Sequence, residues 1–128
     1  MSESEKIRCG VIGVGRMGRH HARVYAQLDG AEFVGVVDHD EDRRNEIVEE
    51  WGGTAFSTVE EMINVGVDAV TIATPTVTHL DVATPLLAKG IACLIEKPLA
   101  PTADVASAIA DAAEEGGAVL QVGHVVRY

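Results

Sequence analysis

Short, nearly continuous apolar runs alternate along this chain with longer segments in which apolar residues recur at helical spacing. Runs without polar alternation are typical of strands buried on both faces of a sheet. They predict strands at residues 7–12, 32–37, 54–56, 68–73, 91–95 and 118–122. The segments between them predict helices at residues 17–28, 41–51, 58–65, 78–89 and 103–115. Strands separated by helices require parallel crossovers, so we predict an open, doubly wound, mostly parallel six-stranded α/β sheet with helices on both faces.

Polar residues at the predicted helix starts support this division of the chain. Two overlapping capping boxes precede the third helix, Ser57 with Glu60 and Thr58 with Glu61, and the pattern leaves both open. Thr102 is placed to cap the last helix, because its hydroxyl can accept a hydrogen bond from a free N–H of the first turn. Both starts therefore carry residues that favour a helix beginning there.

One residue conflicts with the helical pattern. Pro85 lies inside the predicted helix 78–89, where it lacks the N–H group that would donate to the carbonyl of Asp81. Its ring also crowds that carbonyl. We therefore expect either a kink at Pro85 or an earlier end of this helix.

Composition narrows the class of protein further. The 128 residues are about one ordinary domain, and 47% of them are hydrophobic, which is enough for a packed core. Twenty acidic against ten basic side chains give a net charge of −10, which argues against nucleic acid and anionic membranes as partners. No apolar stretch is long enough to span a bilayer, and the polar, acidic start is unlike a targeting peptide. We expect a cytoplasmic protein.

The cysteines and histidines give no sign of a disulfide or a metal site. Cys9 and Cys93 fall in the first and fifth predicted strands, and the expected strand order 3-2-1-4-5-6 puts the fourth strand between them. Two strand spacings are about 9.5 Å, beyond the ~7 Å limit between the Cα atoms of a disulfide. Both thiols are therefore expected to stay reduced. The five histidines lack the spacing of metal ligands, so no metal is expected.

A Gly-x-Gly-x-x-Gly pattern, formed by Gly13, Gly15 and Gly18, joins the first strand to the first helix. Alone the pattern is weak, but this setting is typical of a Rossmann-type dinucleotide site. Gly13 allows a tight turn, Gly15 lets a pyrophosphate approach the backbone, and Gly18 lets helix and strand pack closely. The helix start at Arg16 and Met17 would present free N–H groups to the phosphates. A purely structural glycine turn is the alternative.

Asp38, twenty residues after the last of these glycines, ends the second predicted strand. Its carboxylate is expected to accept hydrogen bonds from both hydroxyls of the adenosine ribose and to repel a 2′-phosphate, which predicts NAD rather than NADP. The alternative role is a cap for the second helix, which Asp40 could fill equally well. His39, Arg43 and Arg44 leave NADP open, because a basic side chain could turn toward a 2′-phosphate.

Two later segments carry a more specific signature. Residues 67–75 read Val-Asp-Ala-Val-Thr-Ile-Ala-Thr-Pro and are followed by His79, and residues 96–100 read Glu-Lys-Pro-Leu-Ala. Together with the glycine loop, these segments occur in the order and at the spacing of the Gfo/Idh/MocA family, the relatives of glucose-fructose oxidoreductase and inositol dehydrogenase. The chain resembles the N-terminal dinucleotide-binding domain of that family over residues 6–128.

The resemblance implies that the loop after the fourth strand lies along the ribose and nicotinamide side of the cofactor. This loop comprises Ala73, Thr74, Pro75 and Thr76, and Thr76 stands where relatives often have Asn. His79 would organise the loop or lie near the cofactor, with a plain surface position as the alternative.

The resemblance also implies roles for residues after the last two strands. Glu96 would position the cofactor or the loop. Lys97 would lie near the nicotinamide and the reacting carbon, where an ammonium group stabilises developing alkoxide charge. His124 would reach the nicotinamide edge, and Arg127 would hold a polar substrate or tie the two domains together, with plain surface positions as the alternative for both.

The family's activity sets the functional expectation. The resemblance implies an NAD(P)-binding domain, residues 1–128, of an oxidoreductase acting on a sugar, polyol or related hydroxyl compound. Relatives continue into a second domain with most substrate contacts, which we expect this chain to lack, so that the isolated chain would be inactive. A small-molecule substrate would then be a partner only where that second domain is present. A non-catalytic dinucleotide-binding or sensing module is the alternative.

Overall fold

The predicted strands form one parallel sheet. In the computed structural model, which describes residues 6–123, they are β1 (Ile7–Ile12), β2 (Ala31–Val37), β3 (Thr54–Phe56), β4 (Ala69–Ile72), β5 (Ala92–Glu96) and β6 (Leu120–Gly123). Their order is β3-β2-β1-β4-β5-β6, and each neighbouring pair is parallel. The predicted doubly wound, Rossmann-type architecture and its strand order are confirmed.

Helices connect the successive strands. They are α1 (Arg16–Gln27), α2 (Glu41–Trp51), α3 (Val59–Val65), α4 (His79–Ala88) and α5 (Ala103–Gly116), and a 3-10 turn, Thr76–Thr78, directly precedes α4. All predicted boundaries lie within two residues of these. None of the helices within residues 6–123 combines the length and the apolar character needed to cross a bilayer.

The sheet separates two apolar cores, because successive strand residues point to opposite faces. Residues of α3, α4 and α5 pack on the face to which Ile12 and Val37 point, and Leu86 and Ile109 are fully buried there. The smaller core on the other face joins β1, β2, α1 and α2. Its buried members are Val11, Val14, Ala22, Val36 and Ile47.

The structure decides between the two capping boxes. Thr58 caps α3: its Oγ1 accepts from the N–H of Glu61 at 3.2 Å, and the Glu61 carboxylate accepts from the N–H of Thr58 at 3.1 Å. Ser57 donates both its hydroxyl and its N–H to the same carboxylate at 2.8 Å. These hydrogen bonds, led by the Ser57 hydroxyl, lower the pKa of Glu61. Thr102 caps α5 as predicted.

The helix α4 continues through Pro85 to Ala88, so the expectation of an earlier end is wrong. Asp81, whose carbonyl loses its helical partner, is exposed, and water can reach it. Leu86 and Leu87, directly after the proline, are fully buried in the core. Their burial offsets the cost of the missing hydrogen bond, because each contributes on the order of 1.5–3 kcal/mol.

The two cysteines lie on either side of β4, as predicted. Cys9 pairs with Ala69, and Val70 pairs with Cys93. Both thiols are free and buried. Burial raises the pKa of Cys93 to about 12 and also raises that of Cys9, where the nearby Asp68 charge adds to the effect.

Candidate functional site

A cleft of about 660 Å³ opens at the carboxyl ends of β1, β2 and β4. Since β1 lies between the other two strands, and the chain turns to β2 on one side and later to β4 on the other, this is the switch point of the sheet. Open α/β sheets bind ligands at such points. The lining includes several residues predicted from the sequence: Gly13, Gly15, Asp38, Ala73, Thr74 and Pro75.

The three glycines of the loop have three different surroundings. Gly13 has a φ of +90°, and a Cβ atom there would lie 2.9 Å from the backbone of Ala73. A Cβ atom on Gly18 would lie 1.7 Å from the carbonyl oxygen of Gly13, so α1 starts in close contact with the turn. A Cβ atom on Gly15 would meet no described atom within 4 Å. The missing side chain of Gly15 therefore leaves open space in the cleft.

The start of α1 lies at this opening and is not neutralised. No side chain in the described part of the chain caps α1, and its first turn holds no acidic residue. By contrast α2, α3 and α5 each have a capping side chain and an acidic residue in the first turn. The N–H groups at Arg16 and Met17 thus stand at the positive end of a helix dipole, an arrangement that suits an anion such as a phosphate.

The carboxylate of Asp38 is held by two backbone groups. Oδ2 accepts from the N–H of Val14 and Oδ1 from the N–H of Asp40, both at 2.8 Å. The residue is only 7% exposed, yet it lines the cleft. Because a carboxylate has about four acceptor positions, each oxygen can accept a further hydrogen bond from a ligand. The cap of α2 is Asp40, whose side chain accepts from the N–H of Arg43 at 3.2 Å.

The three basic residues after Asp38 differ in their freedom. Arg44 donates to the carbonyl oxygen of Asp38 at 3.0 Å, and its side chain is only 16% exposed. Arg43 lines the cleft, with Nε 3.8 Å from the carboxylate of Asp40. The exposed ring of His39 has Nδ1 3.7 Å from the carboxylate of Asp38. Arg43 and His39, but not Arg44, therefore face the space where a ligand would lie.

One wall of the cleft was not predicted. It follows β3, whose three residues run parallel to β2, so that the next residues reach the same edge of the sheet. The residues of this wall are Ser57, Thr58, Val59 and Glu60, and three further lining residues on other elements were also not predicted, Ile12, Val37 and Val82. The signal was available in the predicted strand 54–56, since residues after parallel strands meet at one edge.

His79 joins two loops from a buried position. Its Nε2 lies 2.9 Å from the carbonyl oxygen of Thr74, and its Nδ1 lies 2.9 Å from that of Leu99. The residue is 1% exposed, so the alternative of a surface position is wrong. Thr78 braces the same loop by donating its hydroxyl to the carbonyl oxygen of Pro75 at 2.6 Å. His79 thus links the loop after β4 to the segment after β5.

Glu96 and Lys97 stand at the end of β5. The carboxylate of Glu96 accepts from Nε2 of His21 in α1 at 2.9 Å, a contact that was not predicted. Lys97 is exposed, and its N–H donates to the carbonyl oxygen of Gly123 at 3.2 Å. Within residues 6–123 its ammonium group has no hydrogen bond or ion pair, which leaves it available to a ligand. The Lys97-Pro98 peptide bond is cis.

The predicted site residues thus divide into two sets. One set lines the cleft, as described above. The others do not line it: Arg16, Met17, Gly18, Thr76, His79, Glu96 and Lys97. The predictions for His124 and Arg127 lie outside the described residues.

Comparisons with known proteins agree with this geometry. Residues 7–124 match the model of an oxidoreductase family with an NAD-binding Rossmann fold. The chain is 41% identical over 121 residues to UDP-N-acetylglucosamine 3-dehydrogenase of Acidithiobacillus ferrooxidans, covering 94% of this chain and 38% of the relative. It is 42% identical over 129 aligned positions to inositol 2-dehydrogenase of an Arthrobacter species, covering 98% and 38%.

A solved structure has the same fold. The WlbA dehydrogenase from Bordetella pertussis, in complex with NADH and UDP-GlcNAcA, superposes with a TM-score of 0.86 at 31% identity over 92% of this chain and 36% of that chain. This chain therefore spans less than two-fifths of the length of these relatives.

Proposed function

This chain belongs to the Gfo/Idh/MocA family of oxidoreductases, as its NAD-binding Rossmann domain, and on this premise we propose that the cleft binds NAD(H) in preference to NADP(H). The observation that carries the proposal is the carboxylate of Asp38. It lines the cleft, is buried, and has both oxygens oriented by backbone N–H groups.

The residues present fit a dinucleotide. The open space at Gly15 and the uncapped start of α1 suit the pyrophosphate, because the N–H groups and the helix dipole favour negative charge. Asp38 would accept hydrogen bonds from the adenosine ribose hydroxyls. The apolar lining residues Ile12, Val37 and Val59 would contact the flat base between them.

The preference for NAD(H) follows from charge. A 2′-phosphate would lie close to the carboxylate of Asp38, whose burial leaves the repulsion less screened than between two exposed charges. The two basic residues that face the cleft are already near carboxylates, Arg43 near Asp40 and His39 near Asp38 itself. We therefore propose that neither compensates fully for the charge of Asp38.

We extend the proposal to oxidation of a hydroxyl group on a sugar, polyol or related compound. The named relatives act on UDP-N-acetylglucosamine and on inositol, both rings with several hydroxyl groups. A bound nicotinamide would supply the hydride acceptor. Lys97, with its exposed ammonium group at the end of β5, would stabilise negative charge that develops on the substrate oxygen. Because the chain spans 38% of each curated relative's length, we assign substrate selectivity and the proton acceptor to residues beyond this domain.

Calorimetric titration of the 128-residue protein with NADH and NADPH tests the proposal. We expect NADH to bind more tightly, and Gly15→Val to weaken both ligands because its side chain fills the open space. Tighter binding of NADPH would overturn the cofactor preference. If neither NADH nor NADPH binds, the proposed function is wrong.

A further inference from the structure

One edge of α1 carries three side chains at four-residue spacing, Met17, His21 and Tyr25, all of them half-buried. Such residues lie above one another on a helix. The hydroxyl of Tyr25 forms a hydrogen bond with that of the buried Thr71 in β4, with the two oxygens 2.6 Å apart. One turn nearer the cleft, His21 donates to Glu96 at the end of β5. Through these two hydrogen bonds α1 contacts both β4 and β5.

The bond between His21 and Glu96 joins two parts of the proposed site. The helix that carries His21 begins directly after Gly15, where the pyrophosphate is proposed to bind. Glu96 directly precedes Lys97 in the chain. The side chains of His21 and Glu96 are 23% and 15% exposed, so water competes only in part for their hydrogen bond.

Glu96 would lose its partner if His21 were absent. A largely buried carboxylate without a partner is unfavourable, so the strand end would rearrange to expose it or to find another donor. Lys97 would move with the strand end. Among the described residues its backbone makes one hydrogen bond, 3.2 Å long, to Gly123 in the edge strand β6. The start of α1 does not depend on this contact, since Gly18 packs directly on Gly13.

We propose that His21 is a positioning residue for the nicotinamide half of the site. Acting through Glu96, it sets the place of Lys97 relative to the start of α1. This inference rests on the proposed function. It assigns to His21 no contact with the cofactor or the substrate.

The two halves of the ligand can be measured separately. NADH contacts both halves of the site, whereas ADP-ribose lacks only the nicotinamide and reports on the contacts of the adenosine, the pyrophosphate and the second ribose. We would titrate both ligands by calorimetry into the wild type, His21→Leu, His21→Gln and His20→Leu. Glutamine reaches a donor N–H group about as far as Nε2 of histidine, and His20 is an exposed neighbour in the same helix.

We expect His21→Leu to weaken NADH binding about three- to tenfold, the effect of one lost hydrogen bond. ADP-ribose binding should stay within about twofold of wild type by the same scale. His21→Gln should restore the ratio of the two affinities, and His20→Leu should leave it unchanged. In a Glu96→Leu background, His21→Leu should have no further effect on the ratio, because His21 acts only through Glu96.

Several results would overturn the inference: equal weakening of both ligands, no weakening, failure of glutamine to restore the ratio, or an additive effect with Glu96→Leu. Should His21→Leu not fold, His21→Ala is measured in its place with the same expectations. A wild-type protein that binds neither ligand would instead contradict the proposed function itself, so the two failures are distinguishable.

Discussion

The backbone N–H of Val14 donates to Oδ2 of Asp38 at 2.8 Å, which ties the glycine turn to the end of β2 across 24 positions of the chain. Asp38 therefore has a structural role beside the ribose contact proposed for it. It also holds the turn whose shape leaves room for a pyrophosphate. A substitution at Asp38 is expected to change the turn as well as the ribose contact, so its effects on NAD and NADP are linked.

Asp38→Ala should lower the free energy of unfolding without any ligand. The substitution leaves the buried N–H of Val14 without its acceptor, which typically costs about 1–3 kcal/mol. Asp40→Ala is the matched control, because it removes a helix cap at the surface and should cost about 1 kcal/mol. Urea denaturation of the three proteins measures the difference. Equal stability of Asp38→Ala and wild type would show that the hydrogen bond to Val14 has no structural role.

Substitutions at Gly18 and Gly15 should differ in their effect on the stability of the fold. Gly18→Ala places a methyl group 1.7 Å from the carbonyl oxygen of Gly13, so α1 must shift and the protein should lose several kcal/mol of stability or fail to fold. Gly15→Val enters open space at a φ of −71°, so its stability should stay within about 1 kcal/mol of wild type. Thermal unfolding checks both. A strongly destabilised Gly15→Val would contradict the description of this position.

Both thiols should be unreactive in the folded protein. A thiolate is the reactive form, and burial raises the pKa of Cys93 to about 12, so almost none exists at pH 8. A chromogenic disulfide reagent should label Cys9 and Cys93 only after unfolding in guanidinium. Rapid labelling of the native protein would show that these strands open readily.

The raised pKa of Cys93 also makes the free energy of unfolding depend on pH. The pKa of Cys93 in the folded protein lies above the ordinary thiol value. The contribution of this group to the free energy of unfolding is therefore fully present below about pH 8.5. It declines as the pH rises toward 12, because only the unfolded state then loses its proton readily. Cys93→Ala should flatten this alkaline decline in urea denaturation between pH 8 and 10. An unchanged decline would assign it to other groups.

The strands and the glycine loop could be predicted because their signals are local, and the strand order because the loop indicates a Rossmann-type sheet. Continuous apolar runs mark buried strands, and the loop glycines are set by steric limits that act within a few residues. The place of Asp38 at the cleft could be predicted for the same reason, since it directly follows β2.

The remaining features depend on contacts between distant segments. His21 and Glu96 are 75 positions apart, and neither lies in a pattern that names the other. Both capping boxes before α3 satisfy the local rule, and only the folded structure shows which one forms. At Pro85 the local rule against proline in a helix is outweighed by the burial of Leu86 and Leu87 in the core.

Asp38 is proposed to distinguish NAD from NADP. Calorimetric affinities for NADH and NADPH, measured in wild type, Asp38→Ser and the control Asp40→Ser, test this role most directly. We predict that wild type prefers NADH. Asp38→Ser should weaken NADH binding about ten- to a hundredfold, as expected for a lost charged acceptor. NADPH binding should weaken less, because the loss of repulsion on the 2′-phosphate offsets the disturbance of the glycine turn. Asp40→Ser should leave the preference intact. A wild type that prefers NADPH, or an Asp38→Ser protein with the same NADH-to-NADPH ratio as wild type, would contradict the account.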